Sequence, residues 1–152
     1  MLKKLFITIV LFILLFLIDQ YIKFLFVDGF EKKGECISLI LVYNYGVAFS
    51  MLSFLEGNLK YVQIVIMLGI ILYLSLNRDL FSLYYIPAGL IIAGGVSNIY
   101  DRFIHGGVVD YIYWHCGFDF AVFNFADIII NIGVVLIFFI NYKVWKAKKI
   151  TN

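Results

Sequence analysis

The stretch "FNFAD" (Phe123 to Asp127) sets an asparagine and an aspartate three residues apart where a long apolar run begins, and "VVD" (Val108 to Asp110) supplies a second aspartate seventeen residues earlier. Two carboxylates held close together cannot both ionise readily. They share one proton, so that one acts as general base toward a water and the other as general acid toward a carbonyl or a leaving amine. Other polar residues recur at helical spacing. Gly94, Asn98 and Asp101 fall at i, i+4 and i+7, one stripe of one helix face, with Arg102 beside it. Asp19 and Lys23 are four apart and able to pair.

Each group also has a plainer reading. Asn124 with Asp127 is what a helix start favours, a capping side chain with an acid at the third position. Asp19 with Lys23 is equally a neutralised pair bracing a helix bundle. Other chemistries find less support. Cys36 and Cys116 lack a histidine arrangement beyond the adjacent His115, and no G-x-S-x-G element is present. His105, His115 and Cys116 match no metal-ligand spacing, so neither a metal nor a cofactor is expected.

What must position these residues follows from composition. The chain has 152 residues, is 64% hydrophobic and 14% charged, which is far too apolar for an ordinary soluble domain. It reads as an integral membrane protein. A single proline, Pro87, and the lack of linkers or repeats leave no place to divide it, so residues 1–152 form one domain. A net charge of +2, dispersed along the chain, is too small to suggest nucleic acid, and no such partner is expected. Four apolar segments approach the roughly 20 residues needed to span hydrocarbon: Leu5 to Val27, Asn58 to Leu76, Leu83 to Phe103 and Asn124 to Tyr142. The basic, apolar N-terminus resembles a secretory signal, but no small-residue cleavage site follows, and it reads as an uncleaved anchor. Lys3 and Lys4, Arg78 in the short second turn, and Lys143, Lys146, Lys148 and Lys149 mark the cytoplasmic side, which also holds both termini.

The longer connections, 28–57 and 104–123, therefore face outward. Within them "ISLILVYN" (Ile37 to Asn44) is β-branched and apolar, and "VVDYIYW" (Val108 to Trp114) alternates with period two. The fold expected is thus an all-α membrane protein of four transmembrane helices with a small β-sheet at the outer interface. An extended irregular loop is the alternative for either strand alone. With this topology, Asn98, Asp101, Arg102, Asn124, Asp127, Asp110 and the "NYG" turn at Asn44 all lie at one depth. Helix capping explains Asp127 but not Asp110, Asn98 or Asn44. Cys36 and Cys116 also fall on the outer side, where an oxidising compartment allows a disulfide; between the two states, free thiols are slightly favoured.

Five motifs in order carry a resemblance: "DQYIK" (Asp19 to Lys23), "NYGVAFS" (Asn44 to Ser50), "GGVSNIYDR" (Gly94 to Arg102), "VVD" and "FNFAD". Together they resemble the motif set of bacterial lipoprotein signal peptidase, signal peptidase II. The resemblance implies an aspartic endopeptidase of the bacterial cytoplasmic membrane. It would cleave prolipoproteins on the N-terminal side of a Cys that already carries a diacylglyceryl group. It places the catalytic aspartates at Asp110 and Asp127 and the substrate cradle at Asn44 and Gly46. Asn98 and Arg102 would contact the bound peptide, with Asp101, Asn124 and Ala126 supporting the site and Asp19 and Lys23 on the first-helix motif. It also implies a monomer working among membrane lipids, its site on the extracytoplasmic face, and inhibition by globomycin-type cyclic peptides.

Two positions depart from the family pattern. Ser97 stands where glycine is common, and so either crowds a neighbouring helix or adds a hydroxyl to the site; the connection from Asp110 to Asp127 is about one residue short. The rival class is a small four-span transporter or proton pathway using Asp19, Asp101 and Asp127. It predicts carboxylates strung across the membrane depth, whereas these gather toward one face. Intramembrane proteases with a G-x-G-D element are ruled out by its absence.

Overall fold

In hydrocarbon a backbone must satisfy its own N–H and C=O groups, and for an isolated apolar run the helix is the way to do so. The computed structural model describes residues 1–46 and 57–151. Among these, four helices are long and apolar enough to cross a membrane: α1 (Leu2–Val27), α2 (Leu59–Leu76), α3 (Arg78–Ile104) and α4 (Phe125–Thr151). Most of their large apolar side chains point outward, as in Phe6, Leu17, Val65 and Phe138, the inverse of a soluble bundle. The helix α3 is the hub, packing along α1, α4 and, less extensively, α2. Small residues permit this: a Cβ added at Gly94 would come within 2.6 Å of the Ala126 carbonyl oxygen and 2.7 Å of Ile130.

The third span begins earlier than expected. Arg78 is not in a turn but opens α3, and only Asn77 separates it from α2. Pro87, whose ring conflicts with the preceding turn, bends the chain at Tyr84 (φ −110°, ψ 17°), and the residues before the bend are helical too, so the segment from Arg78 is part of α3. The fourth helix runs past Tyr142 to Thr151 and carries Lys143, Lys146, Lys148 and Lys149 with it, all exposed.

At one end of the bundle lie the end of α1, the start of α2, the end of α3 and the start of α4. There β1 (Ile37–Asn44) and β2 (Val108–Trp114) form an antiparallel two-stranded sheet, over the same residues as the two strand-like runs of the sequence. The helix α3 closes on its Asp101 carbonyl through His105 N–H at 2.7 Å. Gly106, at φ +77°, then takes the left-handed conformation that turns the chain into β2. The pairing changes register once: Leu39 faces Ile112 while Val42 faces Asp110, so β1 carries one more residue than β2 across that interval. Cys36 and Cys116 form a disulfide at the far end of the sheet, with Cα atoms 4.4 Å apart. That corrects the leaning toward free thiols: the hydrogen bond from His115 N–H to the Cys36 carbonyl at 2.9 Å already holds the strand ends together. Residues 47–50 of the "NYGVAFS" motif lie outside the described residues.

Candidate active site

Asp110 and Asp127 meet at the sheet end, joined through Asn124. The amide nitrogen of the Asn124 side chain donates to Asp110 Oδ1 at 2.7 Å, while the Asn124 backbone N–H donates to Asp127 Oδ2 at 3.2 Å. In return Asp127 N–H donates to Asn124 Oδ1 at 2.9 Å. This is the reciprocal cap anticipated for a helix start, yet the same asparagine reaches across to a second carboxylate that no capping role requires.

The other two carboxylate oxygens are held from opposite sides. Asn44 Nδ2 donates to Asp110 Oδ2 at 2.9 Å, and its own Oδ1 accepts from Gly46 N–H at 3.0 Å. Asn98 Nδ2 donates to Asp127 Oδ1 at 2.9 Å. The register change in the sheet matters here, because it brings Asn44 onto the face of the sheet that carries Asp110. Arg102, 5% exposed, donates to the Asn98 carbonyl at 3.3 Å and to the Gly46 carbonyl, so it ties α3 to the turn after β1. Burial, with the Asp127 charge adding to it, pushes the Asp110 carboxyl up to about 7 against the pull of hydrogen bonds from Asn44 and Asn124.

Behind this layer lies a buried charged cluster. Lys23 Nζ is 2.6 Å from Asp19 and 2.7 Å from Asp101, and it donates to Asn98 Oδ1 at 2.9 Å. Asp19 accepts from Ala126 N–H at 2.9 Å, and Asp101 accepts from Val109 N–H at 3.2 Å. Each of these acids therefore anchors the amide one residue before Asp127 or Asp110. The fully buried Ala126 has no room for a larger side chain's backbone shift, since Gly94 packs on its carbonyl.

Ser97 proves to be a contributor to this cluster. It donates to Asp19 Oδ2 at 2.6 Å and accepts from Gln20 Nε2 at 2.8 Å, while Gln20 also donates to Asp101 Oδ1 at 2.8 Å. Of the two outcomes open at this position, the structure has the added hydroxyl. The sequence signal for Gln20 is an amide inside an apolar span, within "DQYIK". Tyr111 is a further residue that spacing did not single out. Its ring stacks on Phe26 at 4.3 Å, and its hydroxyl accepts from Phe125 N–H at 3.0 Å. Among the described residues no group of three or more His, Cys, Asp or Glu side chains is arranged to hold a metal ion.

The two aspartates open onto a cavity of about 670 Å³. Its polar wall is Asn44, Asn98, Arg102 and the aspartates, and its apolar wall follows α4 along Ile128, Ile132, Val135 and Leu136. The cavity thus sets a polar, carboxylate-bearing end against an apolar flank.

Comparison with known proteins identifies the family. A family model described as signal peptidase (SPase) II matches residues 11–143. A lipoprotein signal peptidase of Sulfurimonas denitrificans is 60% identical over 129 residues, covering 85% of this chain and 83% of its own. One of Wolinella succinogenes is 55% identical over 126 residues, covering 83% and 86% respectively. A bacterial membrane enzyme solved by the in meso method at 2.3 Å superposes with a TM-score of 0.77 at 25% identity, covering 90% of this chain and 87% of that one. With four membrane-type helices, a family match over most of its length and relatives this similar, the chain belongs to the signal peptidase II family of membrane proteases.

Proposed function

We propose that this protease is an aspartic endopeptidase that cuts prolipoproteins on the N-terminal side of their diacylglyceryl-Cys, with Asp110 and Asp127 as the reacting dyad. The observation that carries this reading is the double hold of Asn124 on both carboxylates at the head of one cavity. The ionised member of the pair takes a proton from a water as its oxygen attacks the scissile carbonyl carbon. The protonated member gives its proton to the carbonyl oxygen. Collapse of the tetrahedral intermediate breaks the C–N bond, and the leaving amine takes up the proton first drawn from water. The raised Asp110 carboxyl favours it as the proton holder at the start. Asn98 and Arg102 orient the peptide, and Asn44 and Gly46 form its cradle.

The substrate's acyl chains lie in the bilayer, so its scissile bond sits near an interface, where water is also at hand. A dyad at the extracytoplasmic end of the spans reaches that bond, with both termini in the cytoplasm and the protein working as a monomer in the inner membrane. A cyclic peptide of the globomycin type fits the same part-polar, part-apolar cavity. The transport alternative finds no support in the carboxylates, because Asp19, Asp101, Asp110 and Asp127 are linked in one network at one end of the bundle.

Purified Asp110→Asn and Asp127→Asn variants in proteoliposomes should each lose at least about 10² to 10⁴ in the rate of signal-peptide release from a lipid-modified prolipoprotein, while still inserting. Normal cleavage by either variant refutes the assignment.

A further inference from the structure

The cavity wall has two polar atoms left over. Asn44, Asn98, Asn124 and the aspartates hold one another, but Gln63 Oε1 and Arg102 Nε are buried with no hydrogen-bond partner among the described residues, and both side chains line the cavity. An orphaned buried polar atom is costly, and an amide in a membrane span more so, unless a ligand supplies its partner. Gln63 is also out of keeping with its surroundings. It stands in the first turns of α2, in "LKYVQIVIML", a run otherwise apolar from Val62 to Leu68.

The sense of the two orphans narrows the ligand. Gln63 Oε1 is an acceptor and needs a donor; Arg102 Nε–H is a donor and needs an acceptor. Acyl chains offer neither. The ester groups of a diacylglyceryl unit offer acceptors only and leave Gln63 unsatisfied. A peptide main chain carries one N–H and one C=O per residue and answers both. The two atoms come from α2 and α3, so a strand of peptide in the cavity would be gripped by helices other than the one that carries Asp127.

We propose that Gln63 is a substrate-binding residue whose side-chain oxygen accepts a main-chain N–H from the peptide segment lying in this cavity. This rests on the peptidase reading above. Gln63 holds the peptide along its length and takes no part in the proton transfers, so it acts on KM rather than on kcat.

The test is steady-state cleavage of a synthetic diacylglyceryl peptide by the unaltered enzyme, Gln63→Met and Gln63→Ala, each checked for thermal unfolding in detergent. A matching peptide series replaces one amide at a time by an ester, sparing the scissile bond. Both variants should raise KM about five- to tenfold, the worth of one hydrogen bond, with kcat within about twofold. One ester position should cost the unaltered enzyme a similar factor and cost Gln63→Met nothing further. Unchanged KM in both variants overturns the proposal. So does a penalty for every ester that adds in full to that of Gln63→Met, which would mean that Gln63 binds only water, and so does an ester series with no penalty at any position. A fall in kcat accompanied by early unfolding in both variants overturns it in favour of a structural role. Failure of the unaltered enzyme to cut the lipidated peptide, by contrast, strikes the peptidase reading itself.

Discussion

Removing the Lys23 ammonium should be among the most damaging single changes away from the aspartates. Lys23, Asp19 and Asp101 are each 1% exposed or less. The change Lys23→Met fills similar volume but leaves two buried carboxylates facing each other without a counter-ion. Breaking a buried pair in this way costs about 3 to 5 kcal/mol. Each acid keeps two other donors, Ser97 Oγ and Ala126 N–H for Asp19, Gln20 Nε2 and Val109 N–H for Asp101. That places the loss toward the lower end, about 3 kcal/mol. Because those backbone amides precede Asp127 and Asp110, cleavage should weaken along with stability. The assay is denaturant unfolding in detergent, read beside the cleavage rate. The informative control is the triple change Lys23→Met, Asp19→Asn, Asp101→Asn, which removes the whole charged cluster. Breaking an ion pair is worse than deleting it, so the triple variant should be more stable than the single one. A single variant that unfolds with the unaltered protein, or a triple variant that is the less stable, refutes this account of the cluster.

The change Ser97→Ala removes a hydroxyl that donates to the charged Asp19 and should cost about 1.5 to 3 kcal/mol in unfolding free energy; Ser97→Gly should cost about 1 kcal/mol more through helix propensity. The change Gly94→Ala drives a methyl against the Ala126 carbonyl, and should lose about 1 to 3 kcal/mol by overpacking and also slow cleavage, since α4 must shift and carry Asp127 with it. For pH, the folded Asp110 carboxyl stands at about 7 against an ordinary 3.8, so the fold favours its neutral form. The stability this contributes is complete below about 4 and is lost as pH rises through about 7. If Asp110 and Asp127 react as the dyad proposed above, the pair gives up its shared proton over the same range, so kcat/KM should fall on the alkaline side near pH 7, an apparent value belonging to the pair. An undiminished rate at pH 9 would contradict this.

Much of the scaffold was legible in the sequence, because membrane spans and strands depend on local composition. Both strand runs have the ends that their composition marks, and the pairing of β1 with β2 decides against the irregular loop that either run alone left open. The start of α3 was not. The rule that places Arg78 on one side of the membrane does not distinguish a turn from the first turn of a helix, and the bend at Tyr84 interrupts the apolar pattern there without ending α3. The disulfide was illegible for a different reason: Cys36 and Cys116 are eighty residues apart, and only strand pairing brings them together. At the candidate site, the polar residues in the spans announced themselves by their cost, and Asp19, Lys23, Asn98, Asp101, Asn124 and Asp127 do gather. What spacing could not supply was the partner of each. That Asp19 holds Ala126 N–H and Asp101 holds Val109 N–H depends on how α1, α3, α4 and β2 pack, and Gln63 is the one polar residue of the run from Val62 to Leu68, with no motif around it to mark it.

The register change between β1 and β2 has a consequence for how this protein tolerates change in length. Successive residues of a strand point to opposite sides, so the count of residues between Leu39 and Asn44 works as a parity. With its one extra residue, β1 presents Asn44 on the Asp110 side of the sheet. Losing the extra residue would let the two strands pair without a bulge, with Val42 still opposite Asp110 and Asn44 still on its side. Losing two would turn Tyr43 toward Asp110 and Asn44 away from it, although every side chain of the site would still be encoded. In this segment a deletion of one residue only flattens the bulge, and a deletion of two exchanges the face that the strand presents to the site.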